Sequence, residues 1–403
     1  MAERRFLVLV VALTCTLNAV ARGFTDSFGL FLLPVETELG VTRSTMTGVY
    51  SVFMLTLGLA GPVAGHVFDR LGSRRAYLLG LLSLALGFQL AAGAESVVRY
   101  YLGAGVLTGI GVAAAGMVPA TALLSRWFEG RLGTVLGFAY ASMGVGVLVM
   151  MPVTQLLLDA FGWRETYALF AKVLLVVALG VVVLPMTRLD RGSLRKRNPA
   201  GVGGKVWTLP LALRTGAFWG LFAVYFFTGY AAYSILPQAP AYLIEQGFDA
   251  LLVASLIGLI GILSVVGMAS IGTLADRFGR RFMVTISYLC SLSGITAILA
   301  VAIWPSFVLV YGFILFFGVA QGARGPIITV MTARLFEGGG VGSIYGAITM
   351  GLGFGAAVGS LLSGVMHDLT GHYFWSFGLA WLASFLGLLQ FYVVPALADR
   401  KPA

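Results

Sequence analysis

Apolar residues along this chain fall in runs of roughly 20 to 28 positions, separated by short stretches rich in Arg, Gly and acids. The runs show no period-two alternation, so the pattern speaks for helices and against a β-barrel. A bilayer core about 30 Å thick takes about 20 apolar residues per helix, and the 403 residues accommodate twelve such runs with short connections. The predicted spans are 5–33, 45–68, 75–93, 97–124, 132–158, 164–186, 216–243, 250–273, 282–303, 306–333, 343–366 and 373–396.

The connections carry the topology. With both termini cytoplasmic, the cytoplasmic side holds twenty cationic residues, including Arg4, Arg5, Arg70, Arg74, Arg75, Arg126, Arg131, Arg277, Arg280, Arg281 and Arg334. The outer side holds only Arg43, Arg99 and Arg164, so the positive-inside rule fixes the orientation. Arg4 and Arg5 before an apolar run imitate a secretory signal, but that run continues past Arg22 to Pro34, and it is read as an uncleaved first span. The longest polar interruption, 187–215, divides the chain into 1–186 and 216–403, each with six spans. Within it, Trp207 to Arg214 is expected to form a short interfacial helix with Trp207 and Leu211 on one side.

Composition narrows the function. The chain is 59% hydrophobic and 10% charged, with a mean hydropathy of +0.95, more apolar surface than a soluble globule can hide. Its formal net charge of +10 resides in the connections, so it marks topology and not nucleic-acid binding. Cys15 and Cys290 lie inside apolar runs and make no disulfide framework, and three histidines with 16 acids give no metal-ligand set. No P-loop is present, nor a paired nucleophile and base, so neither an enzyme nor an ATP-driven pump is expected, and no cofactor.

The two halves repeat each other. Gly65, Asp69, Arg70, Gly72 and Arg74 of GHVFDRLGSRR recur as Gly272, Asp276, Arg277, Gly279 and Arg281 of GTLADRFGRR, and RWFEG at 126–130 recurs as RLFEG at 334–338. Six spans separate equivalent positions, so the repeat is parallel, about an axis along the membrane normal, with a site expected between the halves. Gly65 and Gly272 are expected to allow close helix approach, and Asp69 and Asp276 to pair with neighbouring arginines as a cytoplasmic latch; an equal reading makes all ten residues a device that fixes the loops.

With these motifs the chain resembles the major facilitator superfamily over essentially its full length. Within that superfamily it is most similar to the monocarboxylate porter and oxalate:formate antiporter branch. The likeness rests on DSFGLFLLP and VTRS near the first outer loop, RWFEGRLGTVLGFAYASMGVGVLVMMP followed by GWRETY, LALRTGAFW before the seventh span, and ARGPI in the tenth. It implies an all-α membrane protein of twelve transmembrane helices in two pseudo-symmetric six-helix bundles. It further implies a secondary transporter of small organic anions, working with a proton or by exchange, monomeric and in the inner membrane. Asp26 stands where animal-type members of the branch carry a lysine, and the eighth span, 251–273, lacks their acid and arginine.

Charges inside the spans point to anions independently. Arg22, Asp26, Lys172 and Arg324 each cost at least about 2.5–3.5 kcal/mol at the bilayer centre, so each is expected to face a cavity or a partner. Arg22 and Asp26, four residues apart, share a helix face. Two guanidiniums against one carboxylate leave a positive surplus that a carboxylate cargo would neutralise. The expected assignment is Arg324 and Arg22 as anion ligands and Asp26 as the proton carrier, since burial and Arg22 pull its protonation in opposite directions. The alternative for Arg22 and Asp26 is a static pair that holds the first helix. Lys172, on a peripheral span, is expected to snorkel.

Asn18, Tyr140, Tyr230, Tyr233, Gln321 and Tyr345 are candidates to complete the pocket, because amides and phenols suit a short acyl chain with one charged end. Gly133, Gly137 and Ala141 in the fifth span and Gly351, Gly355 and Gly359 in the eleventh recur every fourth residue as flat packing ridges. Two other readings stay open: a proton-driven exporter of drugs or other amphiphiles, and a nontransporting sensor that kept the fold. SMGVGVLVMMPVTQ does not match the Gly-Pro signature of exporters, and a sensor is expected to carry a large added domain.

Overall fold

An apolar run in lipid must satisfy its own backbone hydrogen bonds, and the chain does so with helices throughout. The computed structural model describes residues 2–128, 132–183, 207–336 and 341–397, and among these there is no strand. The first half contains α1 (Ala2–Asp26), α2 (Phe28–Leu39), α3 (Arg43–Ala92), α4 (Val97–Tyr100), a π-helical turn over Tyr101–Leu107, α5 (Thr108–Ala115), α6 (Met117–Trp127) and α7 (Leu132–Val183). The second half contains α8 (Leu209–Ala212), α9 (Gly216–Ile235), α10 (Ala239–Glu245), α11 (Ala250–Phe278), α12 (Arg280–Ala300), α13 (Phe307–Leu335), α14 (Val341–Thr370) and α15 (Phe374–Val393).

Eleven segments among the described residues are long and apolar enough to cross a membrane. One of them, Val135–Val183, has 49 residues, more than twice what about 30 Å of hydrocarbon requires, and it turns at Gly162, where φ is 74° and ψ is 173°. It therefore makes two crossings, which gives the twelve predicted. The spans are broken more often than the apolar pattern indicates. The first is interrupted at Ser27 between α1 and α2, the fourth at Gly116 between α5 and α6, and the seventh after Ile235, before α10 begins at Ala239 with Pro240 in its first turn.

The repeat is legible in backbone conformation. Among the described residues six glycines have positive φ, and they form three pairs: Gly40 with Gly247, Gly72 with Gly279, and Gly162 with Gly371, separated by 207, 207 and 209 residues. Gly72 and Gly279 occupy the turn of the duplicated GHVFDRLGSRR and GTLADRFGRR motif with φ of 81° and 90°, a region other residues enter only with strain. By contrast, a Cβ on Gly65 would meet nothing closer than Val118 at 3.7 Å, so the expected close approach at Gly65 is not what the motif provides; its glycine requirement lies at Gly72. The side chains of Asp69 and Asp276 and the surroundings of Gly272 lie outside the described residues.

The chain forms two compact units, Met1–Lys196 with Pro237–Ile262, and Arg197–Leu236 with Leu263–Ala403. In the first unit, a Cβ on Gly146 of α7 would overlap the carbonyl of Ala19 on α1. In the second, a Cβ on Gly355 of α14 would overlap the carbonyl of Phe226 on α9, which is the same crossing displaced by 209 and 207 residues. Gly351 and Gly359 meet the carbonyls of Phe222 and Tyr230 at the neighbouring turns, so the predicted ridge in the eleventh span is used. In the fifth span Gly137 of the predicted ridge faces open space and Gly146 makes the close approach, while the surroundings of Gly133 lie outside the described residues.

Arg43, the VTRS arginine, is 3% exposed; its Nε donates to Glu36 Oε2 at 2.6 Å and its Nη2 to Glu245 Oε1 at 2.8 Å. This ion triplet ties α10 to the end of α2 and the start of α3 inside the first unit. Of the predicted interfacial segment, only the single turn α8 is helical, with Trp207 edge-on to Phe336 at 5.1 Å and Ala212 buried against the second unit's core. Residues 184–206 of the polar interruption lie outside the described set.

Two outcomes are expected in thermal denaturation of the detergent-solubilised protein. Gly355→Leu should cost about 1–3 kcal/mol by overpacking against the Phe226 carbonyl, while Gly137→Ala should leave the midpoint within error. Arg43→Met should also cost about 1–3 kcal/mol, less than a fully buried pair, because Glu36 and Glu245 remain 22% and 35% exposed and solvent can reclaim them.

Candidate functional site

In the first unit the intramembrane charges meet on α1. Arg22 Nε lies 3.1 Å from Asp26 Oδ2, with the two side chains 13% and 19% exposed. The i,i+4 spacing produces the contact directly, as one helix face brings both groups together. Asp26 Oδ1 is buried and has no hydrogen-bond partner among the described residues. Asn18, one turn earlier and fully buried, donates from Nδ2 to the Thr14 carbonyl at 2.8 Å and leaves its Oδ1 unsatisfied. Two unmet acceptors therefore sit on this helix, at sites where an unmade hydrogen bond costs about 1–3 kcal/mol. Phe24, Thr25, Phe28, Tyr50 and Tyr167 help line a small, partly open pocket nearby, and no charged side chain lines it.

In the second unit Arg324 projects from α13 and is 4% exposed. Its Nε donates to Ser287 Oγ at 3.3 Å, and its Nη2 donates to Ser291 Oγ and, at 3.5 Å, to the Ser287 carbonyl. The guanidinium carbon stands 4.1 Å above the ring of Tyr288, whose hydroxyl shares a 2.9 Å hydrogen bond with Thr228 of α9. Every one of these partners is neutral. Among the described residues no carboxylate pairs with Arg324, so the cation is solvated by dipoles and a π face and keeps its full charge. Gln321, one turn earlier on α13, has a buried Nε2 with no hydrogen-bond acceptor among the described residues. The unsatisfied amide and the guanidinium thus lie three residues apart on one helix.

The remaining candidates separate by unit. Tyr345 joins a hydroxyl chain in the second unit: its oxygen is 3.1 Å from Tyr225 OH and accepts from Thr329 Oγ1 at 2.9 Å. Tyr230 is 9% exposed and Tyr233 is half-buried, both on α9, while Tyr140 on α7 in the first unit is 40% exposed. Lys172 is exposed, as expected of a snorkelling residue. Of the duplicated motif, Arg74 donates to the Val182 carbonyl at 2.5 Å at the end of α7, and Arg281 lies 4.0 Å over Tyr392. Arg277 lies 5.4 Å over Phe278, and Arg70 is exposed. The residues that sequence reasoning passed over are Ser287, Tyr288, Ser291 and Thr228. The trace they leave is SYLCS in the ninth span, two hydroxyls at i and i+4 on either side of an aromatic.

Other quoted motifs prove to be scaffold. In GWRETY, Trp163 Nε1 donates to Glu38 at 2.6 Å, and Arg164 binds Glu38 at 2.8 Å and the carbonyls of Ala92 and Ala94 at 3.1 and 2.7 Å. That cluster pins the end of α2, the end of α3 and the turn of α7. In LALRTGAFW, Thr215 caps α9 by accepting from Phe218 N, and Trp219 Nε1 donates to the Leu213 carbonyl at 2.8 Å. Among the described residues no group of three or more His, Cys, Asp or Glu is placed to hold a metal.

Comparison with known proteins agrees with this architecture. Monocarboxylate transporter 13 of Bos taurus is 28% identical over 376 residues, covering 90% of this chain and 83% of its own. Monocarboxylate transporter 12 of Rattus norvegicus is 25% identical over 394 residues, covering 91% and 80%. The uncharacterized MFS-type transporter YhjX of Escherichia coli is 27% identical over 365 residues, covering 87% and 86%. Among solved structures, a D-xylose-proton symporter superposes with a TM-score of 0.76 at 14% identity over 97% of this chain and 98% of that one. A bacterial homologue of the human lysosomal transporter Spinster, inward-facing and occupied, gives 0.77 at 15% identity over the whole of both chains. At such identities these structures speak for the fold alone. The Major Facilitator Superfamily family model matches residues 11–293 and 271–403, and with twelve crossings, a parallel repeat and these relatives the chain belongs to that superfamily of membrane transporters.

Proposed function

We propose that this protein is a secondary transporter of small organic anions, monocarboxylates foremost, that works by alternating access between its two six-helix halves. The observation that carries the proposal is Arg324: 4% exposed, bound only to hydroxyls, a carbonyl and a π face, and lacking a carboxylate among the described residues. A charge held in a low-dielectric interior without a counterion is costly, and a visiting carboxylate supplies the missing charge with a charge-assisted hydrogen bond. The monocarboxylate transporters among the relatives support the same cargo class. Gln321, with its unsatisfied Nε2, and Tyr345 are the polar groups of the second half best suited to accompany the arginine.

Proton coupling is assigned to Asp26. Its pairing with Arg22 favours the carboxylate, burial favours the neutral acid, and the free Oδ1 leaves room for a proton. Arg22 then alternates between Asp26 and cargo. The protein acts as a monomer in the inner membrane with both termini cytoplasmic, in accord with the distribution of Lys and Arg.

Uptake into proteoliposomes tests the cargo, with acetate, lactate, pyruvate and oxalate offered with and without an imposed pH gradient. Wild type is expected to accumulate the monocarboxylates. Arg324→Ala should lower uptake by roughly 30-fold or more, the loss that comes from stripping about 2 kcal/mol or more from a desolvated charge contact. Transport by Arg324→Ala at the wild-type rate would remove the anion site, and movement of fluorescent cations in place of carboxylates would favour an exporter. Asp26→Asn should abolish acceleration by the pH gradient while anion exchange persists; gradient-driven uptake that survives in that variant would assign the proton elsewhere.

A further inference from the structure

Arg324 is gripped by α12, and the manner of the grip has a consequence for specificity. A guanidinium binds a carboxylate best along one side, where Nε and one terminal nitrogen donate two parallel hydrogen bonds. On Arg324 that side is occupied: Nε faces Ser287 Oγ and Nη2 faces Ser291 Oγ. The two serines are four residues apart on α12, so one helix face sets their oxygens side by side. Both are 3% exposed, which keeps bulk water from replacing them freely. Ser287 Oγ also lies 3.4 Å from the Ala320 carbonyl, to which it donates, so its lone pairs are directed at the arginine. Tyr288, fully buried between the serines in sequence, supports the opposite surface of the guanidinium at 4.1 Å and is itself anchored to Thr228. No hydrogen bond is made by Nη1 to a described residue.

We propose that Ser287 and Ser291 are internal substitutes for the two oxygens of the cargo carboxylate, displaced from Arg324 when the anion binds; this rests on the anion reading of Arg324. The hydroxyls satisfy the guanidinium as a donor without cancelling its charge, so the empty carrier avoids unmade hydrogen bonds while its field still draws an anion. The exchange also selects the ligand. A neutral acceptor, such as the amide or ester of the same acid, offers the arginine no more than the serines do, and gains nothing by displacing them. A carboxylate brings a full charge and two acceptors in the geometry the serines imitate, so it alone repays the displacement. Ser287 and Ser291 are therefore specificity-determining and act by competition, with Tyr288 as a positioning residue beneath them.

Competition predicts a sign opposite to that of an ordinary binding residue. In proteoliposomes with pyruvate as the probe, Ser287→Ala combined with Ser291→Ala should lower KM roughly tenfold, about 1.4 kcal/mol, and lower kcat because the anion leaves more slowly. Each single variant should give a fraction of that change, and Ser287→Thr with Ser291→Thr, which restores both hydroxyls, should bring KM back towards wild type. Should the double alanine variant be too slow for uptake, the increase in thermal midpoint with pyruvate in the purified protein reads binding alone, and it should be larger than in wild type. Selectivity should fall in the same variant, with pyruvamide beginning to inhibit pyruvate uptake. An unchanged or raised KM in the double alanine variant, while Arg324→Ala still abolishes uptake, overturns the competition and leaves the transported class standing. Wild-type protein that neither takes up nor is stabilised by any carboxylate overturns both.

Discussion

Backbone-to-backbone approach at a few glycines is the contact on which the rest of this structure depends. Between helices in lipid there is little hydrophobic drive, so association relies on close packing, which requires a flat surface at each crossing. Gly146 against Ala19 and Gly355 against Phe226 supply it at equivalent points of the two halves. At each crossing a carbonyl occupies the space where any other residue would carry its Cβ. The first and fifth spans, and likewise the seventh and eleventh, are thereby held as tight pairs. Arg22 and Asp26 on α1, and Tyr345 on α14, inherit positions set by these pairs and not by their own polar contacts.

Upon that frame the two halves treat charge differently. In the first, Arg22 and Asp26 cancel each other within one turn of helix, at 3.1 Å. In the second, Arg324 has two serines, a carbonyl and a tyrosine ring. A cation over an aromatic face gains about 2 kcal/mol when desolvated, and hydrogen bonds add to that, but neither contributes a negative charge. Among the described residues, Arg324 therefore retains a buried positive charge that no carboxylate compensates, deep in the second half.

The apolar pattern made the twelve crossings legible, and the duplicated GHVFDRLGSRR and GTLADRFGRR made the parallel repeat legible, because both depend on residue type alone. The breaks were not legible. Ser27, Gly116 and the turn after Ile235 lie within apolar stretches whose hydropathy does not change when the helix is interrupted. The Gly351, Gly355 and Gly359 ridge could be read from spacing, yet the same spacing misled at Gly137, since periodicity identifies a face without saying what covers it; Gly137 has open space before it. The site divides in the same way. Arg22 with Asp26 came from an i,i+4 interval on one helix, whereas Arg324 with Ser287 and Ser291 joins residues 37 and 33 positions apart, and nothing local in SYLCS distinguishes those hydroxyls from serines that bond to their own helix.

Most of the residues that carry the family likeness do not touch the candidate cargo site at all. Trp163 and Arg164 close on Glu38 and on the carbonyls that end α3, Thr215 caps α9, Arg74 reaches the end of α7, and Gly72 and Gly279 turn the chain. These contacts fix helix ends, which any transporter on this frame requires whatever it carries. Arg324 is different in kind, because no helix end, turn or crossing needs it there. An acid on α12 in place of Ser287 or Ser291 would give a stable ion pair and a filled interior, but it would cancel the arginine's charge and close the site to an anion. Neutral hydroxyls keep the guanidinium ordered and still electrically incomplete, and that combination is what a binding site for a passing carboxylate requires.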